Sequence, residues 1–366
     1  MDLFTPVVPE SDWHPNFAVM VKHPNAWNAA VLNGWAAGFV DRDRKFVRQF
    51  QTTFNDCFWE LYLHAVLRER GLSINFASAS PDFTVSSPVP FTIEATIASH
   101  AKDDLPEHRR AEAELPPDLN EFNRQTILRL ANALGRKHKE FSTKYAALPH
   151  VAGKPFVIAV AAFDRPYFSM TCQRAIEAVL FNYYVDEESY VSAGDPNSPI
   201  PKYSLESIIK HNGSTVTLGL FQNGAMPEVS AVIFSSCATL GKVRALSADP
   251  NPKIFFDALR RNPTSTQPHR IQACKSDYKE SLLDGLRVYH NPDALHPLDL
   301  AMLRDPDVFQ TYFCAATGKW IYEDREGQLL FRAVRTEQQR VPASDAIEEV
   351  VSAAPAANPR QAPRRQ

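Results

Sequence analysis

The sequence has no apolar run near the roughly 20 residues that a membrane-spanning helix requires. Its first residues, MDLFTPVVPESDW, lack a basic stretch followed by an apolar one, so we expect no secretory signal. The 5 cysteines are scattered without a close pair, which favours reduced thiols over a disulfide framework or a cysteine zinc site. These absences predict a cytoplasmic protein that does not enter a membrane.

Glycine is scarce as well, with 13 glycines against 28 prolines, which predicts many stiff connections between elements. The chain has no phosphate-binding glycine loop, no dinucleotide-binding fingerprint and no internal repeat. Nothing in it therefore indicates a nucleotide-dependent enzyme of the kinds that those motifs define.

An excess of basic residues is also missing, because the formal net charge is −3 and the isoelectric point is near 6.4. This balance does not by itself indicate a protein that binds nucleic acid. It does not exclude one, since positive charge can be confined to one cleft and metal ions can offset carboxylates there. Apolar residues make up 44% of the chain and charged residues 22%, as in globular proteins.

The most informative stretch runs from Phe54 to Thr96. A helix capped by Asp41 or Asp43 is predicted to continue to Arg70. It has one long apolar face: Val47, Phe50, Phe54, Cys57, Phe58, Leu61 and Ala65. Further apolar residues cover most of its remaining surface, so we expect Glu60 to lie among apolar neighbours and to need a partner. That partner is either an arginine or backbone donor, or a metal ion shared with other carboxylates.

A first strand is predicted after this helix at Leu72 to Ala77. Two more follow it, one beginning at Pro81-Asp82 and one spanning Phe91 to Ile97. Because side chains alternate along a strand, Glu94 and Thr96 should share one face. Pairing of the two strands would bring Asp82 close to Glu94. Two carboxylates that close repel each other unless a cation lies between them, and oxygen ligands of this kind suit Mg²⁺.

The chain resembles the PD-(D/E)XK nuclease superfamily, which has a glutamate on a first helix, Pro-Asp on a second strand and usually Glu-x-Lys on a third. By this resemblance Glu60, Asp82 and Glu94 match the helix glutamate, the motif aspartate and the first residue of the last motif. The resemblance implies a restriction-endonuclease-like core over residues 46–165 and a Mg²⁺- or Mn²⁺-dependent cleavage of DNA. Thr96 departs from the pattern, because the family normally has lysine there to orient or activate the attacking water.

A long helix predicted from Leu119 to Leu148 supplies a candidate for the missing lysine. Lys137 lies at the edge of its apolar stripe, where a polar side chain is unexpected, and Lys144 repeats that position seven residues later. One reading is that both lysines extend outward along the edge of the core. The other is that Lys137 points into the carboxylate site and replaces the lysine that Thr96 lacks.

The charged segment from His100 to Pro117 is predicted to be a loop. It is either a solvated connection or a mobile flap over the metal site. In the second case Arg109 and Arg110 would contact the phosphates of a DNA substrate.

The rest of the chain predicts a mixed central sheet flanked by helices, in one α/β domain over residues 1–336. Phe156–Phe163 is expected to be a strand buried on both faces, and residues 171–184 a helix. Short helices are predicted at 254–261 and 276–283, and a hairpin is predicted from 319–322 and 328–332. Residues 337–366, rich in alanine and proline with terminal arginines, are expected to form a disordered tail.

The function predicted from these patterns is a metal-dependent phosphodiesterase acting on DNA, with Asp82, Glu94 and Glu60 around the ion. One alternative is a catalytically inactive nuclease-like fold that serves as a binding or scaffold protein, which Thr96 and the acidic balance favour. A second is a structural protein in which Glu60 and Asp82 pair with arginines such as Arg68 or Arg124.

Overall fold

The computed structural model describes residues 1–194, 200–262, 264–265, 267–323, 325 and 327–336. The tail predicted at 337–366 lies outside the described residues. Within those ranges the chain is an α/β protein with eight α-helices and a mixed sheet of eight strands. The prediction of a mixed sheet flanked by helices is therefore confirmed.

The helices of the described chain are α1 Pro15–Lys22, α2 Ala26–Ala36, α3 Phe46–Thr52, α4 Phe54–Glu69, α5 Leu119–Glu140, α6 Arg174–Phe181, α7 Glu187–Ala193 and α8 Leu240–Leu246. None of them is long and apolar enough to cross a lipid bilayer.

The strands are β1 Ser73–Asn75, β2 Phe83–Ser87, β3 Phe91–Ser99, β4 Phe156–Phe163, β5 Tyr183–Val185, β6 Lys202–Ser204, β7 Ser207–Ile209, β8 Thr215–Thr217, β9 Ala231–Ser235, β10 Ile254–Arg260, β11 His269–Cys274, β12 Arg287–His290, β13 Phe309–Cys314, β14 Lys319–Glu323 and β15 Leu329–Thr336. The central sheet has the order β1-β2-β3-β4-β9-β12-β13-β14, and a second sheet has the order β11-β10-β15.

The part of the sheet that carries the predicted motifs is an antiparallel β1-β2-β3 unit extended by β4, which runs parallel to β3. Parallel neighbours need a crossover connection, and α5 provides it between β3 and β4. Both α4 and α5 pack against β3. Helix α4, which precedes β3 in the sequence, and helix α5, which follows it, therefore both contact the strand that carries Glu94.

The centre of the sheet is strongly apolar. Every residue of β4 is buried, as expected for a central strand without polar alternation. Helix α4 is buried nearly all round, and Trp59 of α4 donates its indole N–H to the Ala159 carbonyl at 3.0 Å. Burial on this scale fixes α4 against the sheet, and with it the direction in which Glu60 points.

Several predicted elements are wrong in detail. The helix predicted at 254–261 is absent, because Ile254–Arg260 forms strand β10, which pairs with β11 on one side and β15 on the other. Residues 276–283 contain no helix. The predicted hairpin does not form, since β14 pairs with β13 while β15 joins the second sheet. Long-range pairing overrides the local pattern in β10 and in β15.

The helical predictions near the site hold with altered boundaries. The helix expected up to Arg70 is divided into α3 and α4 at Thr53. The helix expected to reach Leu148 is α-helical up to Glu140 and then continues as a π-helical turn, Phe141–Tyr145.

Candidate active site

The acidic residues of the candidate site come from three neighbouring elements. Asp56 and Glu60 are four residues apart on α4, so they share one helix face. Asp82 directly precedes β2, and Glu94 lies in the middle of β3. The β2–β3 pairing aligns Phe83 with Ile93, and one further step in this register places Asp82 opposite Glu94. The adjacency expected from the sequence is present.

Asp82 is held in place by the backbone. Its Oδ2 accepts a hydrogen bond from the Ala95 N–H at 2.7 Å, which ties the carboxylate to β3. The turn before it is braced by Arg42, which donates to the backbone carbonyls of Ser78 and Asp82. The guanidinium of Arg42 also places positive charge beside the carboxylates.

Glu94 is buried, with only 4% of its surface exposed, and meets two groups from the α5 segment. Lys137 Nζ lies 2.5 Å from Glu94 Oε1, and the Tyr145 hydroxyl donates to the same oxygen at 3.2 Å. Lys137 Nζ is also 3.3 Å from Glu140 Oε2. The Lys137 side chain is 12% exposed, so it points inward and does not extend along the core edge.

Thr96, which the suggested resemblance aligns with a lysine, shares the face of Glu94 and is bound by a second cation. Arg136 donates from its guanidinium to the Thr96 hydroxyl at 2.8 Å. The consecutive residues Arg136 and Lys137 of α5 therefore supply positive charge at both Thr96 and Glu94.

The crowding of carboxylates changes their acidity. Burial raises the pKa of Glu60 well above its ordinary value, and the charges of Asp82 and Asp56 raise it further. Burial also raises the pKa of Asp82 from 3.8 to about 7, with a further contribution from Glu94 and opposing ones from the Ala95 N–H and Lys137. The nearby cations therefore do not fully stabilise the ionised forms of Glu60 and Asp82.

Glu60 and Asp82 are enclosed by protein on most sides, yet each side chain retains partial exposure to solvent. The ligand atoms of Glu60, Asp82 and Glu94 are not all within 4.8 Å of one another.

The arginines considered as structural partners of these carboxylates are engaged elsewhere. Arg68 donates to the carbonyls of Gly34 and Ala37. Arg124 lies on the edge of α5, where it pairs with Glu121 at 3.4 Å. Neither Arg68 nor Arg124 therefore pairs with Glu60 or Asp82 in the structure.

Arg109 and Arg110, the predicted phosphate contacts, lie in the connection after β3 as expected. Arg109 forms an exposed ion pair with Glu112. Arg110 lies over the Tyr167 ring at 4.5 Å, and it lines a cavity of about 960 Å³ whose described lining includes none of the candidate carboxylates. Their contact with a substrate stays a prediction.

Four contributors to the site were missed in the sequence: Arg42, Asp56, Arg136 and Tyr145. Two of them had a readable signal, because Asp56 is one helical turn before Glu60 and Arg136 is next to Lys137. Tyr145 reaches Glu94 from the π-helical turn, and Arg42 acts on backbone carbonyls of a distant turn. Neither of these contacts has a local pattern.

Comparison of the chain with protein-family models, with curated proteins and with solved structures returns no match. The interpretation of the site therefore depends on its own geometry and chemistry.

The raised pKa of Asp82 predicts a stability that depends on pH. The folded chain binds this proton more tightly than the unfolded chain, so the free energy of unfolding should fall as pH rises from about 4 through about 7. In EDTA, the free energy of unfolding measured with urea should be higher at pH 5 than at pH 8. Asp82 should account for at most roughly 2 to 3 kcal/mol of that difference. Asp82→Asn should lose this contribution. An unchanged pH slope in the variant would show that Asp82 titrates normally.

Proposed function

We propose that the protein is a Mg²⁺- or Mn²⁺-dependent phosphodiesterase that cleaves DNA and has a core like that of the PD-(D/E)XK nucleases. The observation that carries the proposal is the placement of Lys137, whose ammonium lies 2.5 Å from Glu94 on the strand where the motif lysine is missing. An ammonium acts through its position, so its source in the sequence is immaterial.

The order of the elements supports this interpretation. A helix carrying Glu60, a strand preceded by Asp82 and a strand carrying Glu94 follow one another in the order of the resemblance. Helix α5 then crosses to β4, which extends the same sheet. All the proposed functional groups therefore converge on β3 from elements that are packed together, a rigid platform of the kind that catalysis requires.

The donor set suits a hard divalent cation. Carboxylate oxygens are the ligands that Mg²⁺ prefers. Burial, with a smaller contribution from the neighbouring carboxylates, raises the pKa of Asp82 and Glu60, and a bound cation would favour their ionised forms. Asp82 and Glu94 would hold the ion, and Glu60 would complete or orient its surroundings. Such an ion lowers the pKa of a coordinated water and offsets the charge of a phosphoryl transition state.

The protein's own groups have separate roles under this proposal. Lys137 holds an ammonium where it can donate to the attacking water or to a phosphate oxygen. Tyr145 keeps the Glu94 carboxylate oriented through its hydroxyl. The Ala95 N–H does the same for Asp82, so both carboxylates are positioned before substrate arrives.

The same ion pair favours one second candidate, a catalytically inactive nuclease-like fold. Lys137 lies within ion-pair distance of both Glu94 and Glu140, so Glu94 is neutralised without a metal ion. A fold that has replaced its metal by a lysine would keep the architecture as a binding or scaffold protein.

A cleavage assay distinguishes the two candidates. Purified protein is incubated with single- and double-stranded DNA in Mg²⁺, in Mn²⁺ and in EDTA, beside Asp82→Ala and the matched variant Asp103→Ala, which changes an exposed loop carboxylate. We expect metal-dependent cleavage by the wild type and Asp103→Ala, and none by Asp82→Ala. Absence of cleavage by the wild type with either metal would favour the inactive fold, and equal cleavage by Asp82→Ala would indicate a contaminating nuclease.

A further inference from the structure

A second group of metal-ligand residues lies apart from the carboxylate site. It consists of His14, directly before α1, and of Glu107 and His108 in the connection between β3 and α5. One ligand atom from each residue lies within 4.8 Å of the other two. Residues more than ninety positions apart in the sequence therefore present two imidazoles and a carboxylate to a common point.

The two histidines are in a state that suits metal binding. His108 Nδ1 is buried without a hydrogen-bond partner and is 3.6 Å from Glu107 Oε1, too far for a good hydrogen bond. The His14 ring lies beside that of His108, with the two ring centres 5.2 Å apart. A buried nitrogen without a partner gains one when a cation binds.

Neighbouring side chains orient the carboxylate and one of the rings. Glu107 Oε1 accepts hydrogen bonds from the amides of Asn55 at 2.6 Å and Asn16 at 3.1 Å. The His14 ring stacks on Phe54 with ring centres 5.9 Å apart. His14 Nδ1 also accepts the Asn16 N–H, a single hydrogen bond that metal binding would exchange for a metal–nitrogen bond. Such supporting contacts are typical of ligands held ready for a metal.

We propose that His14, Glu107 and His108 bind Zn²⁺ and that the ion fixes the loop after β3 to α1 and the start of α4. Two imidazole nitrogens and one carboxylate oxygen are a ligand set that zinc accepts, with a fourth position for water. Mg²⁺ is disfavoured because it prefers oxygen ligands throughout. The bound ion would hold the loop in one position. The loop already contacts α4 through the hydrogen bond from Asn55 to Glu107, and Asn55 directly precedes Asp56 of the carboxylate site. The zinc site stands independently of the proposed nuclease activity.

Zinc affinity of the EDTA-treated full-length protein tests the proposal by competition with a chromophoric chelator. We expect one Zn²⁺ per chain and an affinity lowered about tenfold or more in each of His14→Gln, Glu107→Gln and His108→Gln, because each removes one of three ligands. The matched control is His138→Gln, since His138 Nε2 meets Glu228 at 2.9 Å without a third ligand residue in the described chain. Equal affinity for the wild type and the three ligand variants would overturn the proposal.

Two measurements on the wild type remain decisive if a variant fails to fold. Co²⁺ substituted for Zn²⁺ should show visible ligand-field bands without thiolate charge-transfer absorption, which excludes the five free cysteines as ligands. Zn²⁺ should also slow tryptic cleavage after Arg109 and Arg110 several-fold, because both follow the anchored His108. Thiolate absorption, or cleavage at the same rate with and without Zn²⁺, would contradict the site.

Discussion

Lys137→Met is expected to lower DNA cleavage by about two orders of magnitude or more, the scale of loss when one preorganised donor is removed. Methionine keeps most of the aliphatic volume of the buried side chain, so folding and metal binding should be retained. Under the proposed function, the loss arises because the ammonium 2.5 Å from Glu94 acts in place of a strand lysine. Single-turnover cleavage at saturating Mg²⁺ measures the chemical step directly.

Lys139→Met is the internal control for this variant. Lys139 lies two residues further along α5 with an exposed side chain, so its loss should change cleavage little. Equal activity of the wild type and Lys137→Met would contradict the proposed role of Lys137 in cleavage. Lys144 would then be the next candidate, although its side chain is 61% exposed and lies 3.9 Å from Glu140.

The second large effect concerns metal-induced stabilisation. An ion that binds only the folded protein raises its stability, by about 2.7 kcal/mol at a concentration 100 times the dissociation constant. Mg²⁺ or Mn²⁺ should therefore raise the melting temperature of the wild type. Asp82→Asn and Glu94→Gln should each abolish that response, because each removes one of the two carboxylates proposed to hold the ion. Differential scanning fluorimetry with increasing Mg²⁺ measures it.

Asp103→Asn controls for general loss of negative charge, since Asp103 is exposed on the loop after β3. It should keep the full metal response. Identical shifts in the wild type and in both site variants would rule out an ion shared by Asp82 and Glu94.

The sequence was sufficient to predict the features of the site that follow from local periodicity. The apolar face of α4 predicted a buried helix carrying Glu60, and strand alternation put Glu94 and Thr96 on one face. A short connection between two strands predicted that Asp82 and Glu94 would be adjacent, as the β2–β3 register has them. For Lys137, its place at the edge of an apolar stripe left an outward and an inward position open, and the structure has the inward one.

The features that could not be predicted depend on contacts between distant segments. Strand β10 has a helix-like local pattern, and only its pairing with β11 and β15 makes it a strand. The Arg136–Thr96 hydrogen bond and the Tyr145–Glu94 hydrogen bond depend on how α5 crosses the sheet. The His14 cluster likewise exists only because α1 and the loop after β3 meet in space.

Crystals grown with Mn²⁺ and measured at the manganese absorption edge locate the ion itself. The proposed function predicts one anomalous peak within coordination distance of carboxylate oxygens of both Asp82 and Glu94, with Glu60 bound directly or through a water. A well-ordered site without a peak there, with Lys137 still paired to Glu94, would contradict it. A peak beside His14, Glu107 and His108 alone would leave the carboxylate site without its proposed metal.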